Sequence, residues 1–579
     1  MQEIKNGIDR THLKTIGLGA LIASVGACDI LDVEPLDTYT KEDVFTDVSL
    51  LQSYVHRNYN LPQTGWDQSA LRFSCDETYN NFNWQSSYTV LEGSVTPDQL
   101  GNLDIWSAYY ENIKNCNIFF ENMDYVNQVD EPERSYLIGE ETFFRAFYYM
   151  SLVNRYGGVP IITKSYNLED TDEMMDVKRA SYKECVDSII TWFDRAADYL
   201  PEQYSDDADF GRATSIAAKA MKSRMLLYAA SPLWASESGR TYQEAADAAK
   251  EVIDLCLANG MDLDPDYGGM FLNPESQEII FERLYDQEHG HYFDWDNSPN
   301  GYGGYSGTCI TQEMVDSYEL PGRTFPDRTW YTTGDSTDVN PWQNRDPRFY
   351  ASVLCDGQEF RGREVAFYVQ ETENEKTHKI EVVSGGIDSE FGNQNWNYSK
   401  SHYTIRKFMD ETLRVAWTDK GSQPWIYCRL GEIYLNYAEA SYFAGDEETA
   451  RKYLNLIRQR ARNYGVQYLE QDIPDMLPDI TASGDELFEA IQQERKVELA
   501  FEEHRFFDVR RWKNTEENQV GQFHGIRILK KLNGVKNYKI IELGKVRSFI
   551  APNHYLVPIP NYERRKNSAL EQNPGYSDL

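Results

Sequence analysis

The sequence predicts a mostly α-helical protein: a scaffold of helical hairpins into which one irregular, loop-rich segment is inserted. Three observations predict it. Apolar residues recur at helical spacing on both sides of the middle of the chain. Glycine and proline stand where those stretches end. Between about Asn273 and Gly421 the periodicity fades, while Gly, Asn, Asp and aromatic residues accumulate.

The elements follow in order. From Glu133 to Tyr156, residues Phe143, Phe144, Phe147, Tyr148, Met150 and Leu152 cover a wide helical face, and Glu141 stands one turn before Arg145. Gly157-Gly158 and Pro160 stop that helix. A second helix is expected over Thr214 to Trp234, with Ala217, Met221, Met225 and Leu226 at the same spacing. The segment after Asn273 carries Trp295, Gly301, Tyr302, Gly303, Gly304 and Tyr305. Its aromatic load argues against disorder, so it is expected to fold onto the scaffold. Tyr427 to Ala461 reads as a helical hairpin broken at Gly445-Asp446. Tyr427, Leu430, Gly431 and Tyr434 match the opening spacing of a tetratricopeptide repeat, although later positions lose register. A last helix is expected over Asp485 to Arg511, with Leu487, Ile491, Val497 and Phe501 among its apolar residues.

The chain begins with Lys5, Arg10 and Lys14, an apolar run from Ile16 to Ala23, and Val25-Gly26-Ala27-Cys28. That is an export signal, and its apolar run is shorter than the about 20 residues a permanent membrane helix needs. The small residues before Cys28 resemble the lipobox of bacterial lipoproteins, which implies that Cys28 is acylated and becomes the mature first residue. A net charge of −36 repels phosphate backbones and anionic lipid, so nucleic acid is excluded and membrane contact is left to the lipid anchor. The other seven cysteines are scattered, odd in number and without a C-x-x-C, which supports neither a disulfide framework nor a zinc site. Stability must come from packing.

A sugar offers C–H faces and a rim of hydroxyls, so binding it takes flat aromatic rings beside planar donors and acceptors. With 40 Tyr and 12 Trp in the chain, three clusters combine both: Trp66-Asp67, Asp76 and Asn81 to Trp84; Asp294 to Asn297 with Tyr302, Tyr305, Trp330 and Trp342; and Asn393, Asn395, Trp396 and Tyr398. From these the candidate ligand-binding residues are Trp66, Asp67, Asn83, Trp84, Trp295 and Asp296, joined by Tyr302, Tyr305, Trp330 and Trp396. No catalytic residue is expected. The 93 acidic residues offer pairs such as Asp294 and Asp296 by chance, and no G-x-S-x-G, H-E-x-x-H or phosphate-binding glycine loop occurs. His289-Gly290-His291 is a weak candidate for a metal. Asp262, Asp264 and Asp266 alternate as in a calcium loop but lack the bidentate Glu that should follow; a turn is the expectation, a structural calcium the alternative. No other cofactor is expected.

Motifs spread along the chain resemble the SusD/RagB family of outer-membrane lipoproteins. Cys28 is followed by Leu31-Asp32-Val33 and Pro35; Arg145 to Tyr149 leads to Arg155-Tyr156-Gly157-Gly158-Val159-Pro160. Thr311 to Asp316 precedes Asn344-Arg345-Asp346-Pro347-Arg348, and Arg406-Lys407-Phe408 precedes Arg429-Leu430. Glu494-Arg495, Glu498 to Glu502, Arg505 to Asp508 and Arg510-Arg511-Trp512 follow, and Gln572 to Tyr576 closes the set. The resemblance implies four tetratricopeptide-like helix pairs and a SusC-like TonB-dependent outer-membrane barrel as partner. The expected division of the chain is a signal peptide at 1–27, the scaffold and ligand loops at 28–272, the insertion at 273–421 and a C-terminal helical part at 422–579. The expected function is non-catalytic capture of an oligo- or polysaccharide at the outer face of the outer membrane, for delivery to that barrel. RagB-like capture of peptides is the alternative, and a glycan-degrading enzyme a third. The signature residues themselves read as scaffold, with Asp508, Arg510 and Arg511 as an ion-pair network at a helix end.

Overall fold

The computed structural model describes residues 41–166, 173, 175–326 and 335–577; Cys28 and Trp330 lie outside the described residues. Among the described residues eight long helices form the scaffold: α1 (Trp106–Glu121), α2 (Glu133–Tyr156), α3 (Tyr182–Tyr199), α4 (Ser215–Ala230), α5 (Tyr242–Ala258), α6 (Leu430–Phe443), α7 (Glu447–Tyr468) and α8 (Asp485–Glu498). Through α7 each packs on the one before it, and α8 packs on both α6 and α7. The α5–α6 contact therefore carries the solenoid across residues 259–429, which leave the helical stack and return to it. The protein is a mostly α, tetratricopeptide-like scaffold with an irregular insertion.

Local chemistry sets the helix ends. Ser181 with Glu184, and Thr241 with Glu244, form capping boxes that satisfy the first free N–H groups of α3 and α5. Asp446 caps α7 by accepting from the Thr449 N–H, one residue after Gly445 turns the chain at φ +91°. α2 ends at Gly157, and a Cβ on the next residue, Gly158, would run into the Ala180 carbonyl oxygen. α4 is buried along nearly its whole surface, and its alanines allow neighbours on both sides to approach closely.

Two cores share the load. The larger fills the spaces between helices, with Phe143, Met221, Ile253, Ile433 and Leu454 fully buried. The second lies between the insertion and the C-terminal part, around Phe271, Phe349, Tyr403 and Ile526. The seven described cysteines are all free and buried. The family motifs form a buried ion-pair lattice between these cores. Glu498 accepts from Arg348 at 2.9 Å, from Arg429 at 2.8 Å and from Arg460. Arg429 also reaches Glu278 and Glu502, and Arg458 joins Glu319 to Glu494. Asp508 pairs with Arg495 and Arg511, as the sequence suggests. Arg510 does not join them: its guanidinium lies 3.6 Å over the Phe506 ring.

Two expected elements differ. Tyr427 belongs to a strand, Trp425–Arg429, that pairs antiparallel with Ile279–Arg283, so the first helix of the hairpin begins only at Leu430. The helix expected from Asp485 to Arg511 is two, Asp485–Glu498 and Arg505–Arg511. Phe501 and Glu503 turn left-handed at φ +66° and +69°, and the Phe501 N–H donates to Glu77 Oε1 at 3.0 Å. A partner more than 400 residues away outcompetes helix continuation there. A long hairpin, Gly521–Lys530 with Lys536–Arg547, had no sequence signal assigned to it; it forms half of a four-stranded sheet completed by Val369–Glu373 and Ile380–Gly385.

Candidate functional site

Three distant segments meet on one face. Strand Thr78–Asn80 pairs antiparallel with Thr308–Ile310, which sets the loop after Asn80 beside Tyr305. Asn81, itself buried, ties them together: its amide donates to the carbonyls of Tyr305 and Tyr398, each at 3.1 Å, and its N–H donates to Gly307 O at 3.0 Å. The third segment carries Trp396 on the 3-10 turn Asn395–Asn397. Residues Ile541 to Gly544 of the long hairpin close the far side. Gly544 sits at φ +55°, and a Cβ there would collide with the Tyr79 hydroxyl, so both its backbone and its neighbour require glycine.

The result is an open cleft of about 900 Å³. Trp84 and Trp396 line it with 73% and 69% of their surface exposed, two open indoles on one cleft. Trp84 leans on Phe82, ring centroids 4.7 Å apart, and Tyr305 stands edge-on to Phe82 at 6.1 Å. Amides of Gln68, Asn83 and Gln85 supply planar donors and acceptors beside these rings, while the Asn81 and Asn397 amides are buried beneath them. Among the described residues two charged groups line the cleft, Lys400 and Glu542. The Lys400 ammonium rests 3.7 Å over the Tyr398 ring, and burial lowers its pKa.

The sequence-derived candidates divide. Asn83, Trp84, Tyr305 and Trp396 come together on the cleft. Trp295 stands behind it, packed on Tyr305 at 4.6 Å and half-buried. Trp66, Asp67 and Asp296 line a pit of about 40 Å³ that shares Gln68, Phe82, Gln85 and Tyr305 with the cleft. That volume suits water, not a sugar ring. Trp66 is only 8% exposed, stacked on His291 at 4.5 Å and edge-on to Trp425. Burial pushes the Asp296 carboxyl up to about 6, against the pull of Arg72. Tyr302 points elsewhere: its hydroxyl donates to Phe360 O at 2.6 Å and its ring lies under the Arg363 guanidinium. Sequence reasoning passed over Gln68, Gln85, Lys400 and the Ile541–Gly544 edge, which carry no local signal and join the cleft only through tertiary pairing.

The other candidates are tied into structure. Asp294 pairs with Arg361 at 2.7 Å and accepts from Gln423, and Trp342 is buried with its N–H on the Tyr403 hydroxyl. Asp76 pairs with Arg505 and Lys496. Asp264 accepts from the Asp266 N–H and the Ser276 hydroxyl, which makes the Asp262–Asp266 segment a turn. His289 pairs with Asp286 while His291 is buried against Trp66. Among the described residues no group of three or more His, Cys, Asp or Glu side chains is placed to hold a metal ion, and no helix is long and apolar enough to cross a membrane.

Fold and cleft define a class: a helical-hairpin scaffold whose loops and inserted segment build one open, ring-lined face. The chain belongs to the SusD family. The model of the SusD family matches residues 277–576, and a second, described as "Starch-binding associating with outer membrane", matches residues 29–227. SusD-like protein P2 of Formosa agariphila is 26% identical over 475 residues, covering 81% of this chain and 80% of that protein. A SusD-like protein from Bacteroides fragilis superposes with a TM-score of 0.75 at 29% identity, over 94% of this chain and 100% of its own. A SusD-like carbohydrate binding protein from the same organism gives 0.73 at 20% identity, over 91% and 100%.

Proposed function

We propose that this protein is a non-catalytic, lipid-anchored receptor that captures an oligo- or polysaccharide in the cleft at the outer membrane surface and passes it to a SusC-like TonB-dependent barrel. The observation that carries the reading is the pair of open indoles, Trp84 and Trp396, set around an amide-rich and nearly uncharged cleft. Rings of that kind cover pyranose C–H faces, and the amides match hydroxyls. The family description, with its starch binding and outer-membrane association, and the carbohydrate-binding relative support the cargo. The Cys28 lipobox supports the anchor, and Cys28→Ala is expected to move the protein from the membrane to the soluble fraction. A single shallow site of this kind binds in the range of about micromolar to millimolar, sufficient for capture before transfer. Glycoside hydrolysis uses two flanking carboxylates, and among the described residues the cleft lining holds one, Glu542.

One feature favours a second reading. Among the described residues Lys536–Arg547 is an edge strand of its sheet, bridged by Thr337 at Tyr538 but bordering the cleft at Ile541 to Gly544, where an extended peptide could add as a further strand. Calorimetric titration of the protein against panels of polysaccharides and peptides decides between them. A polysaccharide is expected to bind the parent and to lose binding to Trp84→Ala/Trp396→Ala, with no new reducing ends released. Binding of peptides alone, or any turnover, overturns the reading.

A further inference from the structure

A second concavity shares no lining residue with the cleft. It holds about 350 Å³ between the turn that precedes α4 and the strand Ile279–Arg283. Phe210, Met261 and Ile279 give it apolar walls, and Asp206, Asp207 and Glu275 stand exposed around it. Its innermost acid is Glu282, 4% exposed. That carboxyl has no hydrogen-bond or ion-pair partner among the described residues, and its Oε2 is sealed from solvent. Arg212, the cation on the lining, is already committed to Glu140 at 2.7 Å, Asp209 at 2.8 Å and Glu133 at 3.2 Å.

A buried carboxyl left without a partner is costly, and native structures rarely keep one without a ligand or water to meet it. The surroundings restrict that ligand. A divalent metal needs several converging oxygens, and no such group exists among the described residues. An apolar wall leading to one buried acid, with further acids nearer the surface, instead complements a methylene stem that ends in an ammonium, which brings three donors and one positive charge. We propose that this pocket binds a primary alkylammonium, its stem along Phe210, Met261 and Ile279 and its ammonium paired with Glu282. Burial pushes the Glu282 carboxyl up to about 8, with no charged neighbour contributing, so without a cation beside it the acid is protonated at neutral pH. On binding, that proton leaves to solvent and the ammonium becomes the counter-charge. The alkylammonium comes either from a free amine or from a lysine side chain of a polypeptide. The site stands or falls independently of the glycan reading.

The test is calorimetric titration of the full protein at about 0.15 M salt, which screens the exposed acids. The probes are n-butylamine and Nα-acetyl-lysine N-methylamide, each against its neutral counterpart, n-butanol and Nα-acetyl-norleucine N-methylamide. At least one amine is expected to bind at least about ten-fold more tightly than its counterpart, and Glu282→Gln to lose at least about ten-fold of that affinity. Binding of the lysine amide alone identifies a polypeptide side chain as the source; equal binding of butylamine identifies free amines. Parity between amines and neutral counterparts on the parent protein overturns the proposal without recourse to a variant, and so does undiminished amine binding by Glu282→Gln.

Discussion

Trp66 and Trp396 are the same side chain in two environments, and they answer to different measurements. Trp66→Ala empties a space among His291, Phe293, Phe408 and Trp425, and is expected to cost about 3–5 kcal/mol in chemical denaturation. Trp396→Ala removes an exposed ring; its stability should stay within about 0.5 kcal/mol of the parent, while ligand binding weakens by about 1–3 kcal/mol. The reverse pattern contradicts the assignment of the cleft. Glu77 makes a pH prediction at the same scale. Burial pushes its carboxyl up to about 8 from an ordinary 4.5. The folded chain therefore holds a proton that the unfolded chain releases, so this contribution is full below about 4.5 and is lost as pH rises through about 8. Glu77→Gln removes that dependence. Between pH 5 and 8 the stability difference should move in the variant's favour by about 1.4 kcal/mol per pH unit, and a constant difference would refute a protonated buried acid.

Among the elements, the ion-pair lattice is what joins insertion to scaffold. Burial alone would raise the Glu498 carboxyl, but Arg460, Arg429 and Arg348 outweigh it and hold it well below the usual carboxylate range. Glu498→Ala takes one carboxylate partner from each of three buried guanidiniums and should cost about 3–5 kcal/mol in urea unfolding, whereas a cost under about 1 kcal/mol would mean the lattice adds no stability. This scale also separates what the sequence could reveal from what it could not. Glu133–Tyr156 was legible because its apolar period runs unbroken to a double glycine. The break after Glu498 was not, because its cause is Glu77, a residue distant in the chain. The hairpin Gly521–Lys530 and Lys536–Arg547 has partly buried strands with mixed patterning, and its pairing with Val369–Glu373 has no local signature.

At the scale of the whole molecule, a chain of net charge −36 carries a cleft lined by one cation and one carboxylate among the described residues. Neutral polysaccharide binding should therefore change less than about two-fold between about 0.05 and 0.5 M salt, and a steep salt dependence would indicate a charged cargo. The ring-and-amide clusters were visible in the sequence, but their sorting was not. Trp66 and Trp84 stand eighteen positions apart, and tertiary packing sorts them: His291, Phe293, Phe408 and Trp425 enclose Trp66, while the Thr78–Asn80 ladder with Thr308–Ile310 sets the Trp84 loop on the open face. The most direct measurement is the crystal structure of an oligosaccharide complex, using a ligand that titrates with the intact protein. An uncleaved pyranose stacked on Trp84 or Trp396, with amides of the cleft on its hydroxyls, is the expected result. Sugar bound elsewhere while both indoles stay bare would contradict the central claim.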